Sequence, residues 1–156
     1  MNIKQLETNL TTVKKYSADV YKDTMKLSIP FFILHKKLYD KGNELLTNDF
    51  SLSQSELDIL GALYYMTDGD FRMTPTQLYD VMLFSSGGMT KILKKLESKA
   101  YICRVNNSND KRSKLVEITL LGKQVTANAL KDIVAFENEY FSKLDKKEQE
   151  VFSQLL

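Results

Sequence analysis

The stretch TPTQLYDVMLFSSGGMTKILKKLESKAYICRVNNSNDKRSKLVEIT, residues 74–119, decides the fold of this chain. Its pattern predicts a short helix, a turn, a second helix and a β-hairpin. Thr74 suits the N-cap, Pro75 the first helical position, and Gln77 completes a capping box. The apolar positions that follow at helical spacing are Leu78, Val81 and Met82. A helix of about two turns needs partners to be stable.

The second helix is predicted to begin at Ser85, a suitable N-cap. Its apolar stripe consists of Met89, Ile92, Leu93 and Leu96. The other face is small, hydroxyl-bearing or cationic, and such a face at a helix N-terminus suits a DNA major groove. A solvated lysine face is an equally open interpretation of this pattern alone. The residues of this face are Ser86, Gly87, Thr90, Lys91, Lys94, Lys95 and Ser98.

The predicted hairpin, residues 101–119, is called the wing. It has two β-prone runs, Tyr101 to Asn106 and Lys114 to Thr119, joined by a polar turn. Arg112 at its basic tip is the candidate for a narrow minor groove, where the negative potential attracts arginine. We expect Asp110 to support the wing's shape rather than touch DNA, because phosphate repels a carboxylate.

Positive charge is concentrated in this region. Residues 85–114 hold eight basic and two acidic side chains, a net of +6, whereas the whole chain is +2. The rest of the chain therefore carries 14 basic and 18 acidic groups, a net of −4. A focus of positive charge attracts a polyanion, which favours double-stranded DNA as the partner.

Residues 52–125 resemble the MarR family of winged helix-turn-helix transcriptional regulators. The resemblance rests on SQSELDILGALYY, the 74–119 stretch, the following LLGKQV, and the Asp-x-Arg signature at Asp110 and Arg112. It implies a mainly α fold with a small β-hairpin wing, in which the winged helix-turn-helix is flanked by N- and C-terminal dimerisation helices. It also implies a dimeric regulator, commonly a repressor at a palindromic operator.

Gly87 and Gly88 stand at the predicted start of the second helix, where the family more often has Ser and Ala. Two explanations remain open. Glycine inside a helix costs up to ~1 kcal/mol relative to alanine, so the first turn could fray without DNA. Alternatively, the missing side chains allow the backbone to approach a phosphate closely.

The flanking sequence predicts further helices, and we divide the chain into residues 1–50, 51–120 and 121–156. Pro30 is expected to kink or divide the long second helix. Ser53 with Glu56, and Asp145 with Glu148, mark helix starts, and residues 67–73 are expected to be a polar loop. Apolar surface on the terminal helices is covered either by a second subunit or by the chain's own core. The predicted helices are 2–16, 17–46, from 53, 121–143 and from 145.

Composition and residue types argue against an enzyme. The single histidine, His35, and single cysteine, Cys103, cannot together supply a zinc site, and no spacing suggests a catalytic triad. We therefore expect no cofactor or metal, and no membrane partner, since no apolar run reaches the ~18 residues of a membrane span. Cys103 fits a reducing compartment, which with the missing signal peptide predicts the cytoplasm. For Cys103 itself, filling a strand face is the commoner explanation than redox sensing.

The favoured hypothesis is a DNA-binding transcriptional regulator. In it, base edges are contacted by Thr90, Lys91 and Lys94, and phosphates are contacted by Lys95, Lys111 and Lys114. The rival is a winged-helix module that binds protein and needs no basic charge. Family resemblance also implies a small-molecule effector in a crevice between the dimer helices and the DNA-binding unit. Aromatic residues at helical spacing are more often core, but four candidates for lining such a crevice are Tyr39, Tyr64, Tyr65 and Phe71.

Overall fold

The computed structural model describes residues 3–81, 88–108 and 113–155, apart from the Ile3 side chain. It confirms a mainly helical fold with a small antiparallel sheet. The helices are α1 (Ile3–Tyr16), α2 (Met25–Phe50), α3 (Gln54–Tyr65), α4 (Pro75–Val81), α5 (Met89–Ser98), α6 (Leu120–Phe141) and α7 (Lys146–Leu155). The strands are β1 (Arg72–Met73), β2 (Ile102–Asn106) and β3 (Lys114–Ile118).

Capping boxes start the helices where the sequence predicts them. At α3, the Ser53 amide donates to Glu56 Oε2 at 2.8 Å and the Glu56 amide donates to Ser53 Oγ at 3.3 Å. At α4, Thr74 and Gln77 exchange the same pair of bonds at 2.8 and 3.1 Å. Each box satisfies two amides that a helix N-terminus leaves without partners. Both predicted starts are confirmed.

The sheet has the strand order β1-β3-β2, and both pairings are antiparallel. The wing strands agree with the prediction to within one residue at each end. β1, however, lies in the segment predicted to be a loop, and this prediction was wrong for Arg72 and Met73. A two-residue strand carries too little periodicity to be recognised, and it exists because β3 offers a free edge for pairing.

Two compact units divide the chain, Met1–Lys41 and Gly42–Leu156. α2 crosses the boundary and is continuous through Pro30. Of the two expected effects of this proline, a kink or a division, the division was wrong. Pro30 is the sixth residue of α2 and removes a single hydrogen bond near the helix start, which the remaining turns tolerate.

Asp145 and Glu148 form the capping box predicted before α7, with both bonds at 2.8 Å.

The core of the second unit lies between α3, the helices of the 74–119 stretch and the sheet. Its fully buried side chains are contributed by separate elements, so the core joins them into one body. Representative members are Leu60 and Leu63 of α3, Leu78 of α4, Leu93 and Leu96 of α5, and Val116 of β3.

α6 begins in direct contact with the start of β2. Thr119 caps α6 by accepting the Gly122 amide at 3.0 Å, and its hydroxyl donates to the Ala100 carbonyl at 2.7 Å. A Cβ on Gly122 would collide with the backbone carbonyl oxygen of Tyr101. Glycine is therefore needed at 122 for this close approach between helix and strand.

Candidate nucleic-acid interface

The described part of the second predicted helix is α5, and it begins at Met89. Gly88 is its N-cap, with φ 138° and ψ 11° and no side-chain cap. Gly88 therefore lies outside the helix, and the helix-interior cost expected for it does not apply. Its positive φ gives a separate reason for glycine, since side chains rarely adopt this conformation. Ser85, Ser86 and Gly87 lie outside the described residues.

α5 has a buried and an exposed face, as the sequence predicts. Met89, Leu93 and Leu96 are buried. Thr90, Lys91, Lys94, Lys95 and Ser98 are exposed. At 100° per residue, Lys91 and Ser98 point most directly away from the core. Lys94 lies between that direction and the flank of Glu97, whereas Lys95 lies toward the opposite flank.

The flank that carries Lys95 is tied to α3 through the buried carboxylate of Glu56. Glu56 is only 1% exposed. Its Oε2 accepts from Lys95 Nζ at 2.9 Å and its Oε1 from Lys99 Nζ at 2.8 Å, in addition to the capping bond from Ser53. Lys99 also donates to the Ser51 carbonyl at 2.7 Å. The sequence pattern indicates only the capping role of Glu56.

Glu56 is buried as an anion. Burial pushes its pKa up, but hydrogen bonds from Lys99, Lys95 and the Ser53 amide together outweigh burial and hold the pKa below its ordinary value of 4.5. The carboxylate therefore stays charged at neutral pH and keeps both ammonium groups beside α3. The i, i+4 spacing of Lys95 and Lys99 was the only signal in the sequence, and it did not identify their partner.

The opposite flank of α5 is tied to the wing. Arg104 of β2 forms an ion pair with Glu97 at 3.2 Å. Near the wing's turn, Asn107 Nδ2 donates to Ser113 Oγ at 2.8 Å. Lys114 is exposed at the start of β3. Asp110, Lys111 and Arg112 lie outside the described residues.

These ion pairs change the charge estimate for the region. Glu56 lies outside residues 85–114, so adding its carboxylate to the net of +6 leaves +5. Lys95, Lys99 and Arg104 all have acidic partners. Within the described chain, neither Lys91 nor Lys94 has one. Among the lysines of α5 itself, Lys91 and Lys94 are therefore the ones whose charge is available to a polyanion.

Three of the four aromatic crevice candidates lie together in the second unit. The ring centroid of Tyr64 is 4.4 Å from that of Tyr65 and 6.0 Å from that of Phe71. Lys123 of α6 places its ammonium 3.0 Å from the Phe71 centroid, which covers one face of that ring. Tyr39 belongs to the first unit and stacks on His35 at 6.1 Å.

Cys103 is exposed on β2, opposite Glu117 in the register, so it does not fill a core position. Among residues 3–81, 88–108 and 113–155, no group of three His, Cys, Asp or Glu side chains could hold a metal ion. A separate search of the same residues finds no helix with the length and hydropathy required to cross a membrane.

Comparison with known proteins agrees with this geometry. Residues 50–113 match the model of the MarR family. The HTH-type transcriptional regulator MhqR of Bacillus subtilis is 26% identical over 132 residues, covering 83% of this chain and 88% of that protein.

Solved structures give the same result. The transcriptional regulator BldR from Sulfolobus solfataricus superposes with a TM-score of 0.67 at 26% identity, over 86% of this chain and 94% of that one. A mutant of MarR from E. coli, complexed with operator DNA, gives a TM-score of 0.62 over 86% and 96% of the two chains. At 23% identity, this last match concerns the fold alone. Residues 50–113 are therefore similar to the MarR family, and the chain has the winged-helix fold of the solved MarR structures.

Proposed function

We propose that the protein is a sequence-specific DNA-binding transcriptional regulator that acts as a dimeric repressor at a palindromic operator. The exposed cationic face of α5 carries this proposal, because Lys91 and Lys94 lack acidic partners within the described chain. The match of residues 50–113 to the MarR family model and the regulators among similar proteins support it. We place the protein in the cytoplasm, because a bacterial regulator acts on the chromosome there.

Each residue of the interface has a proposed role. Thr90, Lys91 and Lys94 contact base edges in the major groove, and Lys114 contacts phosphate. The same surface includes the predicted contacts outside the described residues. These are Ser85, Ser86 and Gly87 before α5, and Lys111 and Arg112 in the wing, with Asp110 supporting Arg112.

Selection of bound fragments from the source genome tests this function directly. We expect enrichment of palindromic sites, including the region upstream of the protein's own gene. Affinity should fall steeply with salt, with a slope near −0.9 for each phosphate contact. Failure to bind any duplex at low salt would refute the proposal and favour a protein-binding winged helix.

Exposed apolar side chains outside the core support a dimer. Leu27 and Phe32 of α2 are 76% and 66% exposed, and Leu155 of α7 is 79% exposed. Apolar surface of this extent suits burial by a second copy. Size-exclusion chromatography with light scattering should give twice the 18.0 kDa chain mass. A monomer at micromolar concentration would also remove the reason to expect a palindromic operator.

A small-molecule effector is the least constrained part of the proposal. The cluster of Tyr64, Tyr65 and Phe71 in the second unit offers aromatic surface for a ligand. A ligand stacking on the covered face of Phe71 must displace Lys123, so an anionic phenol that pairs with this lysine fits best. Substituted phenols should release DNA from the wild type, whereas Phe71→Leu should require higher concentrations.

A further inference from the structure

Glu56 joins α3 to α5 through two lysines on consecutive turns. The carboxylate is fixed in place, because it is 1% exposed and also closes the α3 capping box. The ion pairs therefore form only when the side chains of Lys95 and Lys99 extend toward α3. Lys99 is 22% exposed and its ammonium serves Glu56 and the Ser51 carbonyl at once. Lys95 is 54% exposed, so its ammonium lies where a phosphate could compete with Glu56 for it.

Such competition would be costly. If Lys95 turned toward a phosphate, a buried carboxylate would lose one of its two cationic partners, and an incompletely paired buried charge is strongly unfavourable. Lys94 is the neighbouring residue on the same helix and is exposed, and it has no acidic partner among the described residues. Turning Lys94 toward phosphate breaks no ion pair. The two adjacent lysines therefore differ in what they can contribute to DNA binding.

We infer that Glu56 is a positioning and specificity-determining residue, which holds Lys95 and Lys99 against α3 and withholds their charge from phosphates. This inference rests on the proposed function. It assigns Lys95 to the support of α5 instead of the phosphate contact predicted from the sequence. The paired flank fixes the rotation of α5 about its axis, so that Lys91 and Lys94 face outward.

Withholding charge lowers the phosphate contribution that operator and random DNA share, so the difference between them depends on how well the base contacts are kept. Every lysine that is kept from the phosphates weakens binding to random DNA. The fixed orientation of α5 at the same time preserves the base contacts. Glu56 thereby increases the ratio of specific to non-specific binding.

Salt titrations of binding to a random-sequence duplex and to the selected operator test this inference on the full-length protein. Three variants are needed: Glu56→Gln, Lys95→Met and the matched control Lys94→Met. On the random-sequence duplex, which offers Lys94 no operator base, its ammonium meets phosphate instead, so Lys94→Met should flatten the salt slope there by about 0.9, the loss of one phosphate contact. Lys95→Met should keep the wild-type slope while its operator affinity falls several-fold. Glu56→Gln frees Lys95, whereas the Ser51 carbonyl still holds Lys99. The slope should therefore steepen by about 0.9, and non-specific affinity should rise on the order of tenfold at ~0.1 M salt.

The outcomes separate the inference from the function on which it rests. If Lys95→Met flattens the slope as much as Lys94→Met, Lys95 binds phosphate and the inference is overturned while the proposed function stands. A folded Glu56→Gln with an unchanged slope overturns it equally. If circular dichroism shows that Glu56→Gln does not fold, the comparison of Lys94→Met with Lys95→Met decides alone. Wild-type protein that binds no duplex removes the proposed function, and the inference with it.

Discussion

Gly122 shows how one residue can determine the contact between two elements. Its Cα lies where a methyl group would meet the Tyr101 carbonyl oxygen and the Ile118 side chain. Thr119 bonds to the same strand start and to the Gly122 amide. The first turn of α6 is therefore positioned against the base of the wing by a missing side chain as much as by hydrogen bonds.

Gly122→Ala should destabilise the protein by about 3 kcal/mol, the upper part of the range for overpacking, because backbone has to move. The melting temperature should fall by roughly 6 to 12 °C. The matched control is Gly61→Ala in α3, where nothing lies within 4 Å of the added Cβ. Alanine is the better helix former, so this control should be at least as stable as the wild type. Equal melting temperatures for both variants would contradict the packing described for α6.

Asp58 is a charge that the fold tolerates at a cost. Gln54 donates to its Oδ1 at 3.0 Å, whereas its buried Oδ2 has no partner within the described chain. Burial raises the pKa of Asp58, and the Gln54 bond only partly opposes this. The folded state therefore binds a proton more readily than the unfolded state, so ionisation of Asp58 lowers the free energy of unfolding.

Asp58→Asn should consequently stabilise the protein at neutral pH, by roughly 1 kcal/mol in urea unfolding. The gain should shrink as the pH falls toward 3.8, the ordinary pKa of the group, because wild-type Asp58 is then neutral as well. Asp132→Asn on the exposed surface of α6 is the control and should change little at either pH. A destabilised Asp58→Asn would mean that the carboxylate has a partner the described residues do not include.

At the scale of the element, α5 begins with a residue in a conformation that side chains avoid. Gly88→Ala should cost ~1 to 3 kcal/mol of stability, since φ is 138° there. It should also weaken DNA binding, because the strain is relieved by moving the start of α5. Gly69→Ala, at φ 88° in the loop before β1, should cost similar stability and leave DNA affinity unchanged. If both variants bind DNA like the wild type, the start of α5 does not matter for binding.

Elements with local signals could be predicted from the sequence. Thr74, Pro75 and Gln77 define the start of α4 by contacts within one turn, and alternating residues define the wing strands. β1 and the Glu56 pairs could not be predicted, because their partners lie far along the chain. Glu56 reaches residues 39 and 43 positions away. Pairwise contacts at that separation leave no period in the sequence.

At the scale of the whole molecule, Glu56 makes the free energy of unfolding fall at acidic pH. Its pKa is lowered by folding, so its stabilising contribution is complete above 4.5 and is lost as the pH falls below that value through the folded pKa. The raised pKa of Asp58 makes the unfolding free energy change with pH in the opposite direction. Unfolding should therefore be measured in a protein that carries Asp58→Asn. There, unfolding free energy should drop between pH 4.5 and more acidic values, and adding Glu56→Gln should make that drop smaller. An unchanged drop would assign acid sensitivity to other carboxyl groups.

The central place of β3 has a mechanical consequence for the molecule. β3 is hydrogen-bonded on both sides, and the Ile118 amide also donates to the Phe71 carbonyl at 3.1 Å. Bending the wing at its base would break the β3 hydrogen bonds to β1 and to β2 at once, so the base of the wing resists bending. A force applied to the wing is therefore transmitted to Phe71 and to the ammonium of Lys123 above its ring. Amide hydrogen exchange should show β3 as the slowest strand to open.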